Sequence, residues 1–192
     1  MAVPPLSSPS PDEKAQLRTR LRAARRAFAA GKQFAGPHTA HAAPVLERIS
    51  SAHCVAGYFA YHNEPNILPW LDWAQAQRIN TALPRINPES ETMDFAHWHT
   101  GEALATWRGI CQPHASAVPV FPGVVLVPLV GFDRAGHRLG QGGGFYDRML
   151  SELLDTFKIG IGWSVQEVPA LTVEPHDVPL DAILTEREWI VP

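Results

Sequence analysis

The sequence has few cysteines and no long apolar run. Its two cysteines, Cys54 and Cys111, are too few among 192 residues for a disulfide framework. Cys54 lies in an apolar, strand-like run and is expected to pack as a small hydrophobic residue. Because the sequence has neither a membrane-length apolar stretch nor a signal-peptide pattern, it predicts no membrane partner and a reducing, cytoplasmic location.

An excess of charge of one sign is also missing. Sixteen Lys and Arg residues against nineteen Asp and Glu residues give a net charge of −3, which predicts no general attraction to nucleic acid. An apolar content of 45% and a charged content of 18% are typical of a globular protein. Residues 1–11 are rich in proline and serine and are predicted to form a disordered leader. Residues 12–192 are expected to form one domain, as a monomer or weak dimer.

Apolar segments of strand length alternate with helical patterns along the chain. Helices are predicted over residues 13–30, 38–49 and 67–77 and after residue 145, and strands over residues 54–60, 78–83, 93–98, 124–130, 157–163 and 181–186. This alternation predicts an α/β fold with a mainly parallel sheet, in which 124–130, the most apolar strand, is central. Ligands bind at the carboxyl ends of such strands, where Phe59, Tyr61 and Glu64 lie.

The glycine-rich segment between Arg138 and Arg148 lacks two familiar phosphate-binding fingerprints. No Gly-Lys-Ser/Thr follows it, and Phe145 replaces the third glycine of the dinucleotide motif. Four of the chain's fourteen glycines nevertheless lie within residues 140–144. Glycines let the backbone approach a ligand, and N–H groups that open a helix attract anions. The segment therefore predicts a strand, a phosphate-binding loop and a helix, with Asp147 placed to hold Mg²⁺; a flexible surface turn is the alternative.

The first predicted helix carries two stripes of side chains. The apolar stripe is Leu17, Leu21, Ala24 and Phe28, and the cationic stripe is Lys14, Arg18, Arg22 and Arg25. Asp12 is expected to cap the helix. The cationic stripe has three open interpretations: a solvated basic face, a nucleic-acid contact or transit sequence, and a pair, Lys14 and Arg18, that reaches a triphosphate. The stripe is short and lacks interleaved aromatic residues, which weighs against nucleic acid.

Motifs along most of the chain occur in a fixed order. Residues 136–148 read Gly-His-Arg-Leu-Gly-Gln-Gly-Gly-Gly-Phe-Tyr-Asp-Arg. The other fragments are Lys14-Ala-Gln-Leu-Arg18, Glu64, Leu83-Pro-Arg85, Met93-Asp-Phe95, residues 109–113, Phe132-Asp133, residues 158–162 with Gln166, and residues 176–185. Taken together, over about residues 14–186, they resemble the 5-formyltetrahydrofolate cyclo-ligase family, also called methenyltetrahydrofolate synthetase.

This resemblance implies a fold and a reaction. The fold would be a three-layer α/β/α sandwich, similar to the sugar-isomerase and CoA-transferase group. The reaction would use Mg·ATP to convert 5-formyltetrahydrofolate (folinate) into 5,10-methenyltetrahydrofolate, with release of ADP and phosphate. The small-molecule partners would be folinate and ATP, and the cofactor Mg²⁺.

The resemblance also implies the roles of individual residues. Lys14, Arg138 and Asp147 would be catalytic. ATP would contact Lys14, Ala15, Gln16, Leu17, Arg18, Arg138, Leu139, Gly140, Gln141, Gly142, Gly143, Gly144, Phe145 and Tyr146. Folate would contact Phe59, Glu64, Trp107, Gln141, Gly142, Gly143, Gly144 and Phe145. Asp147 and Asp177 would hold Mg²⁺, with Asp181 as a nearby rival of Asp177.

The same residues bear on two other functions. A non-catalytic nucleotide- or nucleic-acid-binding member of the fold is disfavoured because Lys14, Glu64 and Asp147 are all present. An enzyme of the same fold that acts on a sugar phosphate or a CoA thioester is disfavoured by the glycine-rich signature. The chain also departs from the family pattern. Phe145 replaces a tyrosine found in many relatives, and Gly143 stands where some members carry lysine.

Overall fold

The described residues form eleven strands and four α-helices. The structure is a computed structural model that describes residues 11–34 and 36–192, so residues 1–10 of the predicted leader lie outside it. The strands are β1 (Cys54–Ala56), β2 (Asn80–Ile86), β3 (Met93–His97), β4 (Ala105–Trp107), β5 (Ile110–Gln112), β6 (Val124–Pro128), β7 (Gly131–Phe132), β8 (Arg138–Leu139), β9 (Phe157–Ile161), β10 (Ala182–Leu184) and β11 (Trp189–Ile190). The helices are α1 (Pro11–Ala29), α2 (Ala43–Ser50), α3 (Leu68–Ala76) and α4 (Phe145–Glu152).

Seven of these strands form the central sheet, in the order β11-β10-β9-β6-β1-β2-β3. The five strands from β10 to β2 pair in parallel. The two edge strands, β11 and β3, pair with their neighbours in antiparallel fashion. The predicted α/β class with a mainly parallel sheet is therefore confirmed, and β6 is the middle strand as expected.

Helices cover both faces of this sheet. Along β6, Val124 and Leu126 pack into a cluster that includes α2 and α3. The alternate residues Val125 and Val127 pack into a second cluster that includes α4. This alternation follows from the period of two along a strand and gives the predicted three layers.

Several element boundaries differ from the prediction. The strand β2 continues through Pro84 to Ile86. Its neighbour β1 ends opposite Ala82, so beyond that residue β2 pairs only with β3 and is an edge strand, where proline is tolerated. The helix α4 ends at Glu152, so Leu154 is 85% exposed rather than part of its packed face. The helix α1 begins at Pro11, which places Asp12 inside its first turn and not at its cap.

Two short hairpins lie outside the predicted pattern. The strands β4 and β5 pair around Arg108 and Gly109, whose φ angles are 46° and 81°. Two consecutive positive φ angles are typical of a two-residue hairpin turn. The strands β7 and β8 form a ribbon that leads into the glycine-rich segment. Among the described residues, no helix is both long enough and apolar enough to cross a lipid bilayer.

The turn of the β7–β8 ribbon depends on Gly136, which has a φ of 84°. A Cβ at this position would lie 2.8 Å from both the Leu180 carbonyl oxygen and Pro192 Cγ. We expect Gly136→Ala to lower the free energy of unfolding by about 2–4 kcal/mol, since left-handed strain and overpacking add. Urea unfolding followed by circular dichroism measures this loss.

Gly31→Ala is the matched control. Gly31 has a φ of 71°, but a Cβ there meets nothing within 4 Å. The control should therefore lose only the strain of about 1–2 kcal/mol. Equal losses in both variants would show that the contact with Leu180 and Pro192 is unimportant.

Candidate active site

A cleft of about 830 Å³ lies at the carboxyl ends of β1 and β6. The helix α1, the glycine-rich segment and residues 170–177 form its other walls. Most residues that the sequence analysis assigned to the site line this cleft: Lys14, Leu17, Arg18, Phe59, Glu64, residues 138–147 and Asp177. The cleft has the location and size of a ligand site in an open α/β sheet.

The glycine-rich segment forms a loop between β8 and α4. Gly142 and Gly144 have φ angles of 105° and 66°, a region that glycine adopts without strain. Gly144 is also the N-cap of α4, so the unpaired N–H groups of the first helical turn face this end of the loop. A Cβ at Gly143 would lie 3.0 Å from the Phe145 ring, so a larger side chain at residue 143 would require Phe145 to move. Gly143 and Phe145, the two positions at which the chain departs from the family pattern, are therefore close neighbours.

Cations of α1 line the cleft beside this loop. Lys14, Arg18, Arg22 and Arg26 recur every fourth residue and all face the cavity. Arg18 Nε donates to the Gly140 carbonyl at 2.9 Å. The predicted stripe was wrong in one member, because Arg25 is only 2% exposed and lies on the buried side of the helix. The remaining cations of the stripe therefore face the cleft.

Glu64 lies across the cleft, at the end of a tight turn after β1. His62 and Asn63 both have positive φ angles, and the Tyr61 N–H donates to Glu64 Oε2 at 3.1 Å. Gln141 Nε2 in the glycine-rich loop donates to Glu64 Oε1 at 3.1 Å. Burial raises the pKa of Glu64 above its ordinary value, and the positive charge of Arg25 acts in the opposite direction.

The same glutamine joins the loop to α1. Arg22 Nη2 donates to Gln141 Oε1 at 2.6 Å, while the amide nitrogen of Gln141 reaches Glu64. One side chain therefore connects the helix, the loop and the turn.

Carboxylates gather around Arg138 at the far end of the loop. Arg138 donates to the Asp147 carboxylate and to the Val178 carbonyl, and its side chain is 3% exposed. Burial lowers the pKa of Arg138, while the charges of Asp147 and Asp177 raise it. Asp181 instead accepts the Lys158 N–H at 2.7 Å and does not line the cleft.

A group of three potential metal ligands lies beside these carboxylates. Within the described part of the chain, the ligand atoms of Glu174, His176 and Asp177 lie within 4.8 Å of one another. Lys14 Nζ pairs with Glu174 at 3.1 Å. Carboxylate oxygens suit Mg²⁺ better than an imidazole does, so Asp147, Glu174 and Asp177 have the chemistry for this ion.

Three predicted contact residues lie outside the cleft lining. Ala15 and Gln16 are exposed on α1 but do not face the cavity. Trp107 packs edge-on against Phe145, with ring centroids 6.2 Å apart, and so lies behind that residue. Phe59 is 36% exposed within the cleft.

Sequence reasoning missed other residues of the cleft. These include Arg26, Tyr58, Ile110, Gln112, Thr172, Glu174 and His176. The spacing of four along α1 could have identified Arg26 as a continuation of the cationic stripe. Residues 170–175 form an irregular segment without a periodic pattern, so the sequence carried no signal for Thr172 and Glu174.

The chain is similar to known proteins over nearly its whole length. The model of the 5-formyltetrahydrofolate cyclo-ligase family matches residues 10–186. The 5-formyltetrahydrofolate cyclo-ligase of Escherichia coli (strain K12) is 34% identical over 151 residues, which cover 72% of this chain and 82% of that protein. The Haemophilus influenzae protein of the same name is 30% identical over 182 residues, 90% of this chain and 97% of its own.

A solved structure has the same fold. The 5,10-methenyltetrahydrofolate synthetase of Aquifex aeolicus superposes with a TM-score of 0.68 and 24% identity, over 93% of this chain and 92% of its own. The match to the family model covers far more than half of the chain, in agreement with the ordered motifs. The chain therefore belongs to the 5-formyltetrahydrofolate cyclo-ligase family.

Proposed function

We propose that the chain catalyses the ATP- and Mg²⁺-dependent cyclisation of 5-formyltetrahydrofolate to 5,10-methenyltetrahydrofolate, with release of ADP and phosphate. The observation that carries this proposal is the 3.1 Å hydrogen bond between Gln141 and Glu64. It brings the loop suited to phosphate into contact with the carboxylate suited to a pterin. Transfer of a phosphoryl group to the formyl oxygen needs these two ligands to lie side by side.

The triphosphate of ATP fits the end of the cleft formed by the loop and α1. The loop offers backbone N–H groups from Gly142 to the start of α4, and Arg18 lies beside it. Lys14 is 3.1 Å from Glu174 and would exchange this partner for a phosphate oxygen. Some relatives carry a lysine where this chain has Gly143. Without that lysine, backbone N–H donors carry a larger share of triphosphate binding.

Asp147 and Asp177 would hold the Mg²⁺ ion, with Glu174 close to Asp177. The ion, when bound, neutralises charge on the phosphate oxygens. Arg138 fixes the Asp147 carboxylate by direct pairing, and so sets the position of a metal ligand. Because its side chain is almost completely buried, Arg138 would act on the site through the orientation of Asp147.

Glu64 would accept hydrogen bonds from the paired N–H donors of the pterin. An ionised carboxylate is an acceptor only, which matches such donors well. Phe59 and Phe145 line the cleft and offer apolar surface for the ring. Trp107 supports Phe145 from behind and acts through it.

The chemistry then needs little beyond positioning and charge neutralisation. The formyl oxygen of folinate attacks the γ-phosphorus of ATP, and ADP leaves. The carbon that bears the phosphorylated oxygen has iminium character, so N10 of the same folate attacks it. Loss of phosphate and of the N10 proton then completes the methenyl bridge. A cytoplasmic location and a monomeric or weakly dimeric state remain predictions.

Turnover gives a first test of the proposed function. Folinate, Mg²⁺ and ATP should give an absorbance increase in the methenyl-folate band, with no change when ATP is omitted. Lys14→Ala and Asp147→Asn should each lower kcat/KM by about a hundredfold, as loss of one charge-stabilising contact does. Asp155→Asn, at an exposed acid just beyond α4, is the matched control and should be as active as the unchanged protein. Full activity of Asp147→Asn would contradict the metal assignment.

The backbone conformation of the glycine-rich loop gives a second test of the proposed function. Gly142→Ala should raise the KM for ATP by about tenfold, since the 105° φ angle disfavours a residue with a Cβ. A Cβ at Gly140 would meet nothing within 4 Å, and Gly140 has no positive φ angle. Gly140→Ala should therefore change the KM for ATP little. Similar KM values for both variants would mean that the loop conformation does not determine ATP binding.

A further inference from the structure

Arg25 is a charged residue in an unusual place. It lies on α1 between the cleft-facing Arg22 and Arg26, yet its side chain is only 2% exposed. Its Nη1 atom lies 3.4 Å from Glu64 Oε1 and 3.4 Å from the Leu129 carbonyl oxygen. Its Nε atom is buried and has no hydrogen-bond partner among the described residues.

A buried ion pair of this kind contributes little to the stability of a fold. Removing two charges from water costs free energy that the attraction between them often fails to recover, and an unpaired Nε adds to the cost. An apolar residue at this position of α1 would pack against the core without that cost. The burial of Arg25 therefore points to a role in what Glu64 does.

Glu64 needs a partner of this kind. Its side chain is 8% exposed, and a buried carboxyl tends to take up a proton. A protonated carboxyl loses acceptor capacity and becomes a donor itself. It could then no longer accept the paired N–H donors of a pterin.

We propose that Arg25 is a positioning residue for folate recognition, which holds Glu64 as an oriented carboxylate from the buried side of the cleft. This inference rests on the proposed function, because it assigns the pterin to Glu64. Arg25 itself does not line the cleft and would not touch the ligand. Its effect is transmitted through Oε1 of Glu64, while Tyr61 fixes Oε2.

The pH dependence follows from the groups that face Glu64. Burial raises the pKa of the Glu64 carboxyl, and Arg25 on α1 counteracts that rise. The neutral amide of Gln141 in the loop also lowers it, while Lys32 lines a smaller pocket on the other side of Glu64. The phenols Tyr58 and Tyr146 have pKa values raised by burial and stay neutral.

The sign of the effect is therefore fixed. Folinate affinity should fall as the pH drops through the pKa of Glu64, because the carboxylate form binds. Without Arg25 this pKa rises further, so the loss of affinity moves to higher pH.

The experiment measures folinate affinity by titration calorimetry from about pH 5 to pH 9, with ATP affinity measured in parallel. Arg25→Met should weaken folinate binding about tenfold or more at neutral pH, recover affinity at higher pH, and leave ATP affinity unchanged. Arg25→Lys keeps the charge and should largely restore the pH profile. Arg20→Met, at an exposed arginine of the same helix, is the matched control and should behave like the unchanged protein.

A double-mutant cycle separates this role from a merely structural one. In the Glu64→Gln background, Arg25→Met should cost no further folinate affinity, because the residue through which it acts is already neutral. An unchanged affinity and pH profile in Arg25→Met would overturn the proposal. So would the same loss in both backgrounds. If Arg25→Met fails to fold, Arg25→Gln, which keeps hydrogen-bonding capacity without charge, takes its place with the same expectations.

Failure of the proposed function has a different signature. Folinate binding by Glu64→Gln that equals that of the unchanged protein would remove the pterin from Glu64 and overturn both proposals. Weak binding by Glu64→Gln together with normal binding by Arg25→Met would overturn only the role of Arg25.

Discussion

The site depends on the way that α1 lies across the carboxyl ends of the sheet. Its Arg18 and Arg22 bond to the glycine-rich loop, and Arg25 pairs with Glu64 on the opposite wall. Leu21 packs with Val130 and Leu139, which ties the same helix to the β7–β8 ribbon. One helix thus fixes the distance between two loops that come from different parts of the sequence.

The loops themselves are held by conformations that few residues adopt. Gly142 and Gly144 let the loop turn sharply into α4, where side chains with a Cβ would be strained. The turn before Glu64 has positive φ angles at His62 and Asn63, and Trp163 Nε1 donates to the Asn63 carbonyl at 3.0 Å. Phe28 and Phe34 pack edge-on against Trp163. The aromatic cluster therefore supports the strained turn, as expected where backbone strain serves a site.

The sequence was informative where residue type alone sets the chemistry. The apolar alternation predicted the parallel sheet, and the glycine spacing predicted a loop that opens a helix. It was less informative where tertiary contacts decide. The burial of Arg25 agrees with the helical period, because Arg25 lies four residues after the buried Leu21, but its pairing with Glu64 depends on a contact distant in sequence. Trp107 was assigned to the ligand by the family resemblance, but it packs against Phe145 and does not line the cleft. The turn of the β4–β5 hairpin has positive φ angles at Arg108 and Gly109. Of these two residue types, only glycine indicates such a conformation in a sequence.

Under the proposed function, the contacts of Gln141 have a consequence for how ATP and folate would influence each other. Its amide bonds to Glu64 and Arg22 at once, so a ligand that takes either partner changes what remains for the other. Linkage then requires reciprocity: whatever factor one substrate imposes on the affinity of the second, the second imposes on the first. If ATP and folate bind as proposed, this one uncharged side chain would link their two affinities.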